Sequence, residues 1–133
     1  MEVETTRGSI YHTNYHIVFC PKYRYKVFKD DIAEYLESFF RNQIEKKGWG
    51  VVAIEVRPDH IHLFISRIPP KERLSDVVKY LKGTSGLSLF RNFPVLRKKF
   101  RKGRLWSRSY YIGTAGEVSI ETIKRYIERV EHN

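Results

Sequence analysis

The sequence predicts an α+β fold: a ferredoxin-like sandwich, with an antiparallel sheet covered by helices on one face and an added C-terminal helix. Three observations lead there. Apolar residues alternate in some stretches and recur at helical spacing in others. The two kinds of stretch follow one another as β, α, β, β, α, β, α, which is the order of that sandwich plus one helix. The chain has 133 residues, 41% of them apolar and 14% aromatic, enough for one domain around one core. Residues 1–133 therefore read as a single domain, with no internal repeat and no long linker.

Tyr11 to Cys20 reads as the first strand, with Tyr15, Ile17 and Phe19 on one face and His16 and Val18 on the other. Pro21 ends it. Lys22-Tyr23-Arg24-Tyr25-Lys26 alternates cations with aromatics, which suits phosphate contacts and base stacking, or equally a solvated loop whose tyrosines pack locally. Asp30 or Asp31 can cap a first helix. Ile32, Tyr35, Leu36, Phe39, Phe40 and Ile44 form its apolar face, Lys46 and Lys47 suit its C-terminal dipole, and Gly48 fits its stop.

Trp49 to Val56 reads as the second strand, with Val52, Ile54 and Val56 on one face. Arg57-Pro58-Asp59 is a tight connection into a third strand that begins at His60, so the two strands form an antiparallel hairpin. Pro69 and Pro70 terminate it. Leu74, Val77, Val78 and Leu81 mark a second helix. The following Lys82-Gly83-Thr84-Ser85-Gly86 suits close backbone approach to a phosphate, or is a helix fraying at its glycines. Leu105 to Ile112 leads into a fourth strand. Ser119 can cap a final helix, with Glu121 in its first turn and Ile120, Ile123, Ile127 and Val130 as its apolar stripe. Tyr126 lies on the edge of that stripe. On composition alone it would be a packing residue.

Charge narrows the function. Lys and Arg number 25 against 15 Asp and Glu, a formal net charge of +10, which points to a polyanion such as nucleic acid as partner. The densest cationic run, Arg97-Lys98-Lys99-Phe100-Arg101-Lys102-Gly103-Arg104, is interleaved with Phe100, Trp106 and Tyr110, as a single-strand nucleic-acid surface would be. The candidate nucleic-acid contacts are Lys22, Tyr23, Arg24, Lys82, Arg97, Lys98, Lys99, Arg101, Lys102 and Trp106. Cys20 is the only cysteine, so no intrachain disulfide forms and an intracellular, cytoplasmic setting is expected. No apolar run approaches membrane-spanning length, and the acidic stretch Met1 to Thr5 lacks a signal-peptide pattern, so no membrane partner is expected.

The chemistry concentrates in Arg57-Pro58-Asp59-His60-Ile61-His62-Leu63-Phe64-Ile65. Side chains alternate along a strand, so His60 and His62 project side by side from one face while Ile61, Leu63 and Ile65 enter the core. Paired imidazoles on a rigid strand make half of a metal site, since neutral imidazole suits several divalent metals; taken alone, the pair reads more readily as two ordinary surface histidines. Glu55 and Asp59 lie nearby in sequence, but strict alternation turns Asp59 away from the pair.

Taken together, Asn14-Tyr15-His16-Ile17-Val18-Phe19 with Lys22-Tyr23-Arg24, Arg57 to Leu63, Leu81 to Ser85, Leu105 to Tyr111 and Ile123-Lys124-Arg125-Tyr126-Ile127-Glu128 resemble the single-tyrosine transposases of small insertion sequences, in the His-hydrophobic-His superfamily. The resemblance covers nearly the whole chain. It implies an enzyme that cuts and rejoins single-stranded DNA at the ends of a mobile element, with Tyr126 as nucleophile forming a 5′-phosphotyrosine link. It implies His60 and His62 as ligands of Mg²⁺ or Mn²⁺, although two imidazoles alone would suit Zn²⁺ as well. It also implies a homodimer with composite active sites, acting on single-stranded or hairpin DNA. One position departs from the pattern: Val130 stands where the family places a glutamine as third ligand, and valine cannot coordinate. Glu131 and His132 turn away from Tyr126 in a regular helix, so the third ligand stays open. Two other classes remain beside this one: a nucleic-acid-binding module that does not cut, and a metal-dependent phosphodiesterase that uses water.

Overall fold

Ile61, Leu63 and Ile65, all fully buried, anchor a sheet whose core face is built by alternation. The structure, a computed structural model, describes residues 4–6, 9–11, 14–114, 125 and 128. Its elements in chain order are β1 (Glu4–Thr6), β2 (Ser9–Tyr11), β3 (Tyr15–Phe19), α1 (Asp30–Lys46), β4 (Gly50–Arg57), β5 (His60–Ser66), α2 (Leu74–Asn92), α3 (Pro94–Lys99) and β6 (Tyr111–Thr114). The main sheet is antiparallel, in the order β4-β5-β3-β6. With α1 after β3 and α2 after β5, this is the predicted ferredoxin-like topology.

The helices cover one sheet face. Leu36, Phe40 and Ile44 of α1 and Val77, Val78, Leu81 and Leu89 of α2 share a core with Ile17, Phe19 and the β5 isoleucines and leucine. The other face carries the histidines. It is not bare at its centre, because His16 and Val18 are buried there too.

Several local expectations need correction. Tyr11 does not begin the first sheet strand: it ends β2, which pairs with β1 in a separate hairpin, and β3 starts at Tyr15. Neither Asp30 nor Asp31 caps α1 through its side chain; the cap residue is Lys29, and both aspartates lie in the first turn, where they still favour the dipole. Gly48 does adopt the left-handed conformation (φ 82°) of a helix stop. In β4 a bulge between Val51 and Ala53 exchanges faces, so Val51 joins Ile54 and Val56 against the core and Val52 is exposed. The segment Lys82 to Gly86 is neither a phosphate loop nor a frayed end: α2 runs straight through it to Asn92. Arg125 and Glu128 are helical and exposed. The rest of the expected final helix, from Ser119 through Tyr126 to Val130, lies outside the described residues, as do Glu131 and His132.

Candidate metal centre and nucleic-acid interface

The two-residue turn Pro58-Asp59 pairs Arg57 with His60 and starts β5 at the first histidine. Alternation then sets His60 and His62 on one face, with ring centroids 4.9 Å apart and nearly perpendicular. Each ring is engaged at Nδ1. Nδ1 of His60 lies 2.8 Å from Oδ1 of Asp59, and Nδ1 of His62 lies 2.9 Å from Nε2 of His16. Asp59 therefore does not turn away, as alternation suggested. It belongs to the turn, where strand periodicity does not apply. Its other oxygen, Oδ2, pairs with Nε of Arg24 at 3.0 Å. Arg24 reaches back because Tyr23 and Arg24 both take left-handed backbone angles (φ 58° and 53°), a costly pair for non-glycine residues.

Burial holds His62 well below the ordinary histidine value, at about 4, reinforced by the neighbouring His60 and His16 and partly opposed by Glu55. His16 is lowered for the same leading reason. His62 is thus a neutral imidazole at physiological pH, the form that ligates metals. Glu55 lies directly across from His62 in the β4–β5 register, but its Oε1 accepts a hydrogen bond from Nε of Arg57. Among the described residues no three side chains converge as a complete cation site.

The cationic stretches, separate in sequence, meet in two clefts. One, of about 170 Å³, brings Lys22 and Tyr23 against Lys99, Arg101, Lys102 and Arg104. Backbone hydrogen bonds from Lys22 to Leu105 and from Ser107 to Cys20, both 2.8 Å, fasten the two segments together. The larger, of about 660 Å³, lies between α2 and the segment after α3, and collects Lys79, Lys82, Arg97, Arg104, Arg108 and Tyr110. Lys98 is exposed on α3 and lines neither. Some cations already face the protein's own rings: Lys99 over Tyr25 at 4.4 Å and Arg97 over Phe90 at 4.7 Å.

Trp106 is a correction. It is 4% exposed, packed edge-on against Phe19 at 4.7 Å and tilted against Phe28 at 5.2 Å, and its indole Nε1 donates to Oγ of Ser85 at 2.9 Å. The ring is held mainly as a core residue, although it also lines the larger cleft. Lys82 is half-buried, and its Nζ donates to the carbonyls of Ser107 (2.5 Å) and Arg108 (3.3 Å). Arg24 serves Asp59. Tyr126 lies outside the described residues.

Sequence reading missed the partners of the histidines. Alternation sets His16 on the histidine face, but its proximity to His62 depends on β3 and β5 being neighbours, which is a property of the topology. Lys79, Arg104, Arg108 and Tyr110 are not among the candidate contacts, although Arg104 ends the cationic run, Tyr110 is one of its interleaved aromatics and Arg108 lies between them.

Comparison with known proteins follows the same line. Residues 9–130 match the family model described as transposase IS200 like. The ISDra2 transposase TnpA of Deinococcus radiodurans is 38% identical over 128 residues, spanning 96% of this chain and 91% of that protein. The transposase for insertion sequence element IS200 of Salmonella typhimurium is 38% identical over 124 residues, 90% of this chain and 80% of that one. A crystal structure of a protein described as a transposase from Deinococcus radiodurans R1 superposes with a TM-score of 0.88 at 35% identity, covering 96% of this chain and 97% of that one. A REP-associated tyrosine transposase bound to a REP hairpin shares the fold, with a TM-score of 0.53 at 11% identity over 98% of this chain and 70% of that one. The chain belongs to the IS200-like transposases, enzymes that cleave and join single-stranded DNA through a tyrosine.

Proposed function

We propose that this transposase cuts and rejoins the ends of an insertion sequence in the cytoplasm, with Tyr126 as nucleophile and His60 and His62 as ligands of Mg²⁺ or Mn²⁺. The observation that carries the metal assignment is the pairing of both histidines at Nδ1, which leaves Nε2 of each ring without a hydrogen bond among the described residues. The family is generally metal-dependent. The donor set fits a cation in part: two imidazoles, His62 neutral, with further positions left to water, phosphate oxygen or a group outside the described residues. When bound, the ion would withdraw charge from the scissile phosphate.

The protein's own groups supply the rest. The phenolic oxygen of Tyr126 forms a bond to phosphorus, and the bond from phosphorus to the 3′ oxygen breaks. The proton lost by the phenol balances the one gained by the released 3′-hydroxyl. The phosphotyrosine link keeps the bond's reactivity, so a second 3′-hydroxyl can reverse the step without ATP. The two basic clefts, with Lys22, Tyr23, Lys82, Arg97, Arg101 and Lys102 among their lining, support the binding of single-stranded or hairpin DNA. Lys98 adds charge beside them. Assembly as a homodimer with composite sites belongs to the same reading.

Incubation with single-stranded DNA from the flanks of its gene and Mn²⁺ tests it. Wild-type protein should give a covalent adduct on a denaturing gel, and Tyr126→Phe should bind the DNA without forming one. An adduct that survives the substitution refutes the assignment. One observation favours a second reading, a hairpin binder that does not cut: Val130 occupies the position of the family's third ligand. Absence of any adduct from wild-type protein that binds the same DNA would select it.

A further inference from the structure

The metal reading leaves one buried group without a role. His16, on β3, is 4% exposed. Its ring stacks on Phe64, with centroids 4.1 Å apart, and lies 5.1 Å from the ring of His62, while Tyr111 meets it edge-on at 6.1 Å. The register explains the contact. Phe64 is the direct cross-strand partner of His16, and Val18 that of His62, so His16 and His62 are diagonal neighbours on one face. The 2.9 Å hydrogen bond between Nε2 of His16 and Nδ1 of His62 follows from that placement.

A hydrogen bond between two neutral imidazoles has two senses, and only one suits a ligand. If His16 donates from Nε2, then Nδ1 of His62 accepts, and His62 carries its proton on Nε2, where an ion would otherwise bind. If His62 donates from Nδ1, its Nε2 keeps a lone pair. His60 shows which sense a ligand needs. Its Nδ1 meets the Asp59 carboxylate, which is paired with the Arg24 guanidinium and can only accept. A neutral His60 therefore carries its proton on Nδ1 and keeps a lone pair on Nε2. Ligating histidines are commonly oriented in this way by the group at the other nitrogen.

We propose that His16 is a positioning residue: it accepts the Nδ1 proton of His62, with its own proton on Nδ1, and so fixes His62 with Nε2 open to the cation. The role rests on the metal reading of His60 and His62. Asp59 does for one ligand what His16 does for the other, but His16 does it without adding a negative charge. The Phe64 stack holds the accepting ring in register.

The test uses full-length protein labelled with ¹⁵N-histidine, without metal and then titrated with Mn²⁺ alone. Long-range ¹H–¹⁵N spectra of the wild type should show His62 protonated on Nδ1 and bare on Nε2. A His62 proton on Nε2 overturns the proposal, and this measurement needs no variant. His16→Phe keeps an aromatic ring on Phe64 and removes the acceptor. It should release His62 into both tautomers and weaken Mn²⁺ binding by about 10-fold or more. His16→Gln, whose amide oxygen reaches close to the former Nε2, should recover most of that loss, which a packing role would not produce. Mn²⁺ binding that His62→Ala abolishes but His16→Phe leaves intact brings down this role alone. Wild-type protein that binds no Mn²⁺ brings down the metal reading and this role with it.

Discussion

Oδ1 of Asp59 accepts a hydrogen bond from Nδ1 of His60 at 2.8 Å, while its Oδ2 pairs with Nε of Arg24 at 3.0 Å. Turn, strand and loop are thus tied at the first residue of β5. Asp59 and Arg24 side chains are both largely enclosed, at 15% and 20% exposure, so solvent screens this pair less than a surface ion pair. The arrangement fixes the orientation of a candidate ligand through its Nδ1 and leaves Nε2 for the proposed ion.

Asp59→Ala should therefore weaken Mn²⁺ binding by about 10- to 100-fold, the usual effect of removing such a partner. Arg24→Ala acts through Asp59 and should cost less. Calorimetric titration of each variant measures this, with thermal melts as control. Equal Mn²⁺ affinity in wild type and Asp59→Ala would show that the carboxylate does not orient His60.

Trp106 is a core residue, and its variants should behave accordingly. Trp106→Ala should lower stability by about 3–5 kcal/mol, as loss of a large buried aromatic does. Ser85→Ala should cost about 1 kcal/mol through the lost indole hydrogen bond. Gly83 sits in the interior of α2, and a Cβ there meets nothing within 4 Å. Gly83→Ala should add about 1 kcal/mol of stability through helix propensity. A stable Trp106→Ala that has lost only DNA binding would reverse the assignment of that ring.

The elements above differ in how far the sequence disclosed them, and the difference is one of range. The histidine pair was legible because strand alternation is a local rule that needs only the strand's direction. The apolar face of α1 was legible for the same reason at another period. His16 was not, because its partner stands 46 residues away and only the β3–β5 pairing joins them. Asp59 was misjudged by carrying a strand's rule one residue into a turn. Val52 was misjudged because one inserted residue exchanges every face beyond it. The continuation of α2 through Gly83 and Gly86 runs against local propensity. It is held by burial of Ser85, Leu89 and Phe90, a tertiary effect that no local pattern announces.

Lys82 offers a test by pH. Burial, with the nearby Arg104 adding to it, lowers its ammonium from 10.5 to about 8. In the unfolded chain it titrates near its ordinary value. Between about pH 8 and 10.5 the unfolded state therefore holds a proton that the folded state has released, and stability rises with pH across that window. The favourable contribution is complete above the unfolded value and is lost as pH falls through the folded one. Lys82→Met removes the titration while keeping an unbranched stem. The stability of the wild type relative to Lys82→Met, from urea melts, should increase between pH 8 and 10.5. A difference that stays flat would place the Lys82 ammonium in solvent.

The last prediction concerns assembly. The proposed dimer lets the tyrosine helix of one subunit serve the histidines of the other. Ile120, Ile123, Ile127 and Val130 form an apolar stripe in sequence that must be buried against something, and Gly113 and Gly116 precede it. A two-fold dimer is the commonest closed assembly. His60→Ala and Tyr126→Phe should each be inactive in adduct formation. Mixed, they separate the two architectures. If the helix crosses between subunits, one of the heterodimer's two sites combines an intact histidine pair with an intact tyrosine, and the adduct returns. If each chain builds its own site, every site carries a lesion and no adduct forms. Co-purification of differently tagged chains must first show that subunits exchange. With exchange established, a mixture that stays inactive refutes the shared site, whereas recovered adduct located on the His60→Ala chain, which carries the intact tyrosine, establishes it.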